Sequence, residues 1–397
     1  MKILTTSYLC LFIFLFCGVN ISFAQEIGAN FNHEPQIIDL RYLKKTPVEW
    51  IRTTPYIFEY INGQKDPAKE PGLDKIIEAK NAGYRVAFGF RWDFKKYHLH
   101  IPEPGSEREV KYFDVVRALL ARVGNHIDML KLGNEPNLET MPEDLQFSHA
   151  GYVPLVNFME RMLNNVVLPF YKSHPEYRKP DFYVGSLPAL FERRQQQTPG
   201  VVELIKFAQR NKNLTGLSVH LHIADTLEIP RALNFVRSLM PSKPIIVPEF
   251  SMFRLYNKHV PDLIGTTPQG KAFLRQYNYP DTMHVYEWYS LVNSQKVDAA
   301  QWKAFFQSQA WFQPHVLQTF YRYFEKYGVV LATYGFFSQA APAHVRPGTA
   351  IWFINPIFPC KSLKTDVNGD CPANPLWFDD FTAIVNKGKI THKATHH

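Results

Sequence analysis

Along the chain, short runs of apolar, β-branched and aromatic residues alternate with longer stretches in which apolar positions return every three to four residues. The short runs read as strands and the longer stretches as helices. Strands are predicted at Gln36–Leu40, Pro55–Tyr60, Tyr84–Phe90, Ile127–Leu132, Phe182–Ser186, Gly216–His222, Ile245–Phe250 and Val329–Phe336. Helices are predicted at Leu73–Asn81, Lys111–Val123, Tyr152–Ser173, Val201–Arg210, Ile229–Met240 and Ala300–Lys326. Asn81-Ala82-Gly83 marks a helix stop directly before a strand. This alternation builds a parallel sheet, and eight strands are the number that closes a (β/α)₈ TIM barrel. An open doubly wound sheet is the main alternative, but no glycine-rich phosphate loop follows an early strand.

Two stretches break the rhythm. Residues Arg254–Asn293 are rich in Tyr, Pro and His and read as a long loop with short helices after the seventh strand. The chain after Gln339 holds Pro, Trp and Phe and reads as a C-terminal extension packed across the barrel. No repeat, low-complexity tract or linker divides the chain. Residues 25–397 therefore read as one barrel domain with its extension.

Residues 1–24 read as a signal peptide. Lys2 gives a positive start, Leu9–Val19 a short apolar run, and Ser22-Phe23-Ala24 a small-x-small cleavage site before Gln25. The run is shorter than the roughly 20 residues a membrane span needs. Phe16 is bulky where a lipid anchor at Cys17 would want a small residue. Export to the periplasm or the exterior is expected, with no membrane association after cleavage. Cys10 and Cys17 leave with the leader, while Cys360 and Cys371 flank the turn-rich Val367-Asn368-Gly369-Asp370. They read as a disulfide in an oxidising compartment or as two free thiols.

Composition narrows the classes further. Apolar content of 46% and charged content of 20% are globular values. The net charge is +8, but the basic residues are scattered. A nucleic-acid protein would carry a dense basic stripe or a recognised module, so no nucleic-acid partner is expected. A monomer is expected.

The candidate chemistry lies at two strand ends. The fourth strand runs Leu130-Lys131-Leu132 into Gly133-Asn134-Glu135-Pro136, and the seventh runs Ile245-Ile246-Val247 into Pro248-Glu249. In a barrel the C-terminal strand ends line the active site. A carboxylate closing a buried strand costs free energy unless it is paired or functional. Asn-Glu-Pro after strand four, with a lone Glu ending strand seven, resembles the large clan of retaining (β/α)₈ glycoside hydrolases often called clan A.

That resemblance implies Glu135 as general acid/base, Glu249 as nucleophile, and Asn134 as the partner of a sugar 2-hydroxyl. It implies a carbohydrate substrate, an oligo- or polysaccharide, and no cofactor. A retaining enzyme needs its carboxyls about 5–5.5 Å apart, and the acid must arrive protonated, which calls for a raised pKa at Glu135.

Other residues depart from the clan or leave choices open. Strand six reads Ser218-Val219-His220-Leu221-His222, whose alternation puts both imidazoles on one face. His222 stands where the clan often has a Tyr and is a candidate partner of Glu249 or of a sugar hydroxyl. His220 is a candidate core histidine. A zinc site on the two histidines lacks a third ligand at suitable spacing, so no metal is expected. Arg91 and Trp92 end strand three, Arg91 as a carboxylate partner or a structural ion pair, Trp92 as a sugar platform or loop packing. Strand eight has no Trp where the clan commonly has one, leaving Tyr334, Phe336 or, from the tail, Trp352 to take its place. With aromatics at 15% of the chain, Trp92, Tyr277, Tyr279, Tyr286 and Trp288 also read as candidates for a carbohydrate cleft. A catalytically silent glycan-binding barrel is the rival from another class. An esterase or metallohydrolase is disfavoured, because neither Gly-x-Ser-x-Gly nor His-Glu-x-x-His occurs.

Overall fold

The structure, a computed structural model, describes residues 25–338 and 341–395. The signal-peptide reading of residues 1–24 lies outside the described residues. Eight strands follow in chain order: β1 Glu26–Asn30, β2 Trp50–Thr53, β3 Arg85–Gly89, β4 Met129–Lys131, β5 Asp181–Leu187, β6 Gly216–His222, β7 Ile245–Ser251 and β8 Val329–Gly335. Each pairs in parallel with the next, and β8 pairs with β1, so the sheet closes into a (β/α)₈ barrel.

Six strand expectations match within a few residues, and two do not. Gln36–Leu40 is not β1. Pro35 opens a 3-10 turn there, and the Asp39 carboxylate caps a short helix by accepting from the Arg41 N–H at 2.9 Å. Pro55–Tyr60 is not β2. That segment turns into the helix Ile57–Ile61, while the true strand, Trp50-Ile51-Arg52-Thr53, carries a buried arginine. The single helix expected over Ala300–Lys326 is two, Ala299–Ser308 and Val316–Tyr327, divided ahead of Val316 by Pro314 and a left-handed His315. The stretch after β7 does contain short helices, Phe253–Lys258, Pro268–Gln276 and Val285–Gln295.

Strand alternation sorts the side chains into layers. Outward residues such as Ile51, Phe88, Leu130, Val219 and Val247 join the main core beneath the helices. Inward residues Trp50, Ala87, Met129, Tyr183, Ile246 and Leu331 form a separate plug inside the barrel. Each large member contributes about 1.5–3 kcal/mol by leaving water. One step further along the strands the inward positions turn polar, with Arg52, Lys131, Ser218 and Thr333 all buried. The apolar plug floors the barrel, and the polar layer above it carries the site.

The extension ends in the helix Phe378–Thr395, whose Phe381, Ile384 and Val385 are buried together with Trp377 just ahead of it. A Cβ at Gly388 would lie 2.2 Å from the Gln25 carbonyl oxygen, so only glycine lets this helix lie against the start of β1. Cys360 and Cys371 are joined as a disulfide with Cα atoms 5.0 Å apart. Among the described residues no helix is long and apolar enough to cross a membrane.

Candidate active site

Glu135 is aimed by its backbone. Pro136 opens the four-residue helix Pro136–Glu139 and disfavours right-handed φ/ψ at the residue before it. Glu135 takes the left-handed conformation instead, with φ 39° and ψ 43°. For a residue with a Cβ that costs of order 1–3 kcal/mol, and such outliers gather at functional sites.

Glu249 is aimed by a bulge. Ile246 points into the barrel, so strict alternation would turn Glu249 outward. The β6–β7 register shifts between Ser218, opposite Ile246, and His220, opposite Glu249. Pro248, which cannot donate to the ladder, lies in that irregularity, and its carbonyl accepts from Thr333 Oγ1 at 2.6 Å. The extra residue returns Glu249 to the inner face.

The two carboxylates meet across the barrel mouth, one oxygen of each lying within 4.8 Å of the other. Arg52 Nη1 donates to Glu249 Oε1 at 2.5 Å, and Arg52 Nη2 donates to Asn134 Oδ1 at 2.7 Å. His222 Nε2 lies 3.3 Å from Glu249 Oε2, and its Nδ1 lies 2.8 Å from Ser251 Oγ. His220, fully buried, sets Nδ1 3.0 Å from Glu135 Oε1. Asn134 Nδ2 donates to Glu139 Oε1 at 3.2 Å, and Arg91 Nε lies 2.7 Å from the same oxygen.

These contacts set the charges. Burial pushes the Glu249 carboxyl up, but His220, Arg52 and His222 outweigh it and hold Glu249 well below the usual carboxylate range. Burial also pushes Glu135 up, yet the His220 hydrogen bond and charge bring it below its ordinary value, against the push from Glu249. The raised pKa expected at Glu135 is therefore absent from the empty site. His220 itself is pushed down by burial, so near neutrality it acts on Glu135 mainly as a hydrogen-bond donor. Beneath the pair, burial and then Arg52 push the Lys131 ammonium well down. At the rim, burial and then Arg91 push His33 down to about 4.

A cavity of about 790 Å³ opens over the pair, lined by Asn134, Glu135, His222 and Glu249, with Arg91 and Trp352 among its walls. Trp352, from the extension, is 39% exposed and stacks on Phe253 with ring centroids 3.4 Å apart. Its ring meets His222 edge-on at 4.8 Å.

Of the residues singled out from sequence, Glu135, Glu249, Asn134, His222 and Arg91 come together here, and Trp92 and Tyr334 do not. Trp92 is 1% exposed and packs on Phe94 and Phe158, because alternation turns it away from the face that Arg91 presents. Tyr334 is 2% exposed and packs outward on Phe250 and Phe381. Trp288 is buried against Phe305, and Tyr277, Tyr279 and Tyr286 pack against the core around it rather than lining the cavity. Arg52, Glu139 and the contact between His220 and Glu135 were missed. A lone arginine among the apolar residues of Trp50–Thr53 was the signal for Arg52, hidden by placing the second strand too late. The fold also supplies what sequence spacing could not: Glu135 and Glu249 join His220 and His222 as a four-residue group whose ligand atoms lie within 4.8 Å of one another.

No protein-family model matches the chain, and no curated protein matches it. Solved structures do. A broad-specificity endoglucanase of the GH5-4 group from Clostridium acetobutylicum aligns over 91% of this chain and 96% of its own, at 10% identity and a TM-score of 0.49. A psychrophilic glycoside hydrolase family 10 endo-β-1,4-xylanase aligns over 78% and 86%, at 11% identity and a TM-score of 0.42. A family 30 subfamily 8 xylanase from Clostridium acetobutylicum aligns over 92% and 71%, at 10% identity and a TM-score of 0.42. Likenesses this distant carry no functional information. What stands on this chain's own geometry is a closed (β/α)₈ barrel whose mouth holds two facing glutamates under an open cavity.

Proposed function

We propose that this protein is a retaining glycoside hydrolase that cleaves β-glycosidic bonds in an oligo- or polysaccharide. The observation that carries the reading is the facing pair at the ends of β4 and β7, with oxygens within 4.8 Å. That is nearer the roughly 5–5.5 Å separation of retaining enzymes than the roughly 6.5–9.5 Å of inverting ones.

In the first step the Glu249 carboxylate attacks the anomeric carbon while Glu135 gives its proton to the departing oxygen. The C–O bond breaks, and a glycosyl ester forms on Glu249. Glu135, now ionised, takes a proton from water, whose oxygen attacks the same carbon and releases Glu249. Arg52 keeps Glu249 ionised through its hydrogen bond to Oε1, and His222 orients the carboxylate for the attack through its contact with Oε2. Asn134, anchored by Arg52 and Glu139, presents its amide to a sugar 2-hydroxyl, a bond that strengthens toward the oxocarbenium-like transition state. Trp352 offers its exposed ring as the platform under a sugar, in place of a strand-eight Trp. The leader-like residues 1–24 support export, and we read the exported chain as a monomer.

A screen of aryl β-glycosides and β-linked polysaccharides tests this directly. The wild type is expected to cleave at least one of them, Glu249→Ala none, and Glu249→Gln to bind that substrate without turning it over. Turnover by either variant at the wild-type rate removes the nucleophile assignment.

A further inference from the structure

The two histidines of β6 do more than flank a nucleophile. Both rings lie on the inner face, with centroids 5.9 Å apart, and both are held in the same way. The Nδ1 of His220 is engaged by Glu135 at 3.0 Å and that of His222 by Ser251 Oγ at 2.8 Å. This leaves Nε2 of each ring turned toward Glu249, at 3.8 Å from Oε1 and 3.3 Å from Oε2 respectively. His220 Nε2 is buried with no hydrogen-bond partner. Imidazoles with Nδ1 fixed by an outer partner and Nε2 directed at a shared point are the arrangement metal-binding histidines adopt.

We propose that Nε2 of His220, Nε2 of His222 and the Glu249 carboxylate form a binding site for a zinc-like divalent ion, with a fourth position left open, while Glu135 stays the outer partner of His220. Zinc takes nitrogen and carboxylate oxygen at about 2.0–2.2 Å in a tetrahedron, which sets ligand atoms roughly 3.3–3.6 Å apart. His220 Nε2 lies 3.8 Å from Glu249 Oε1 and His222 Nε2 lies 3.3 Å from Oε2, near the separation that tetrahedral ligands require. Arg52 occupies Glu249 Oε1 and leaves Oε2 for the ion.

Binding rests on geometry alone, while its consequence rests on the hydrolase reading. An ion held by Glu249 ties up the attacking oxygen, so zinc is an inhibitor that competes with the sugar and is removed by a chelator, rather than a cofactor.

The test uses the chain from Gln25 to His397. His392, His396 and His397 are replaced by alanine in every protein compared, because this histidine-rich tail is a second candidate for metal. Zinc is titrated by calorimetry, and cobalt(II) is followed by its visible absorption. The expected result is one ion per chain with a tetrahedral cobalt spectrum. Ser251→Ala should weaken binding by roughly 10–100-fold, as loss of an outer partner does, and His222→Phe by more than that. Circular dichroism checks that both variants fold, and Ser251→Ala keeps the test open if His222→Phe does not. Absence of binding, or binding that neither variant weakens, overturns the site. No sugar is present, so a failed hydrolase reading leaves this result readable. Hydrolysis that zinc leaves untouched overturns only the inhibition.

Discussion

Glu135 and Glu249 have the same side chain and differ in what surrounds them. Glu249 has Arg52 and two imidazoles about it, whereas Glu135 has one imidazole and faces the negative charge of Glu249. The difference can be read from pH profiles. The basic limb of kcat/KM reports the acid in the free enzyme. With Glu135 below its ordinary value, that limb should fall in the acid range. His220→Ala removes the group that lowers Glu135 and leaves burial and Glu249 to raise it, so the basic limb should move up in pH. A limb that stays in place or moves down would show that His220 does not tune Glu135. Arg52→Met should do the complementary thing. Glu249 loses the cation that lowers it, so the acid limb should move up, and kcat should fall by roughly 10²–10³, the usual cost of one preorganised donor. A profile and rate unchanged in a folded Arg52→Met protein would make that arginine structural only.

At the scale of elements, legibility in the sequence followed apolar contrast. β7 opens on an apolar run and β6 alternates apolar with polar residues, both bounded by turns, and the boundaries expected for them match within a residue. β1 and β2 are short, and Arg52 breaks the apolar pattern of β2, so the more hydrophobic segments after them were read as strands. The two glutamates were legible because each ends a strong strand. Arg52 and Glu139 were not, because their meaning comes from partners 197 and 48 residues away in the sequence, Glu249 and Arg91. Tyr334 and the sugar-platform alternative for Trp92 fail because a strand end has two faces, and only alternation counted from a known inward residue says which is which; the packing alternative for Trp92 is the one its burial matches. The extension matters in two ways. Trp352 brings an aromatic face to the cavity, so Trp352→Ala should raise KM severalfold with a smaller change in kcat, and Trp352→Phe should recover most of it. A loss confined to kcat would place Trp352 outside ground-state binding. Gly388→Ala should destabilise by about 1–3 kcal/mol through the clash with the Gln25 carbonyl. Helix propensity alone predicts the opposite, a gain of up to about 1 kcal/mol. The denaturation midpoint decides between the two signs.

For the whole molecule, the barrel divides its labour by depth. An apolar plug floors the interior, a buried polar layer above it holds Arg52 and Lys131, and the glutamates stand at the mouth under a cavity walled partly by the extension. The central claim is that the two glutamates have distinct roles in a double displacement. The most direct test is Glu135→Ala, assayed with the dinitrophenyl β-glycoside of whichever sugar the screen identifies, with and without azide. A positioned acid contributes roughly 10²–10⁴-fold, so the variant should lose that much on a glycoside with a poor leaving group. On the dinitrophenyl substrate, whose leaving group departs without a proton, Glu249 should still be glycosylated and the ester should accumulate, because no base remains to activate water. Azide needs no base, so it should restore turnover and give the β-glycosyl azide. Equal losses on both leaving groups with no azide rescue would mean Glu135 is not the acid/base, and an α-glycosyl azide would mean that the bond is displaced once and that Glu249 is no nucleophile.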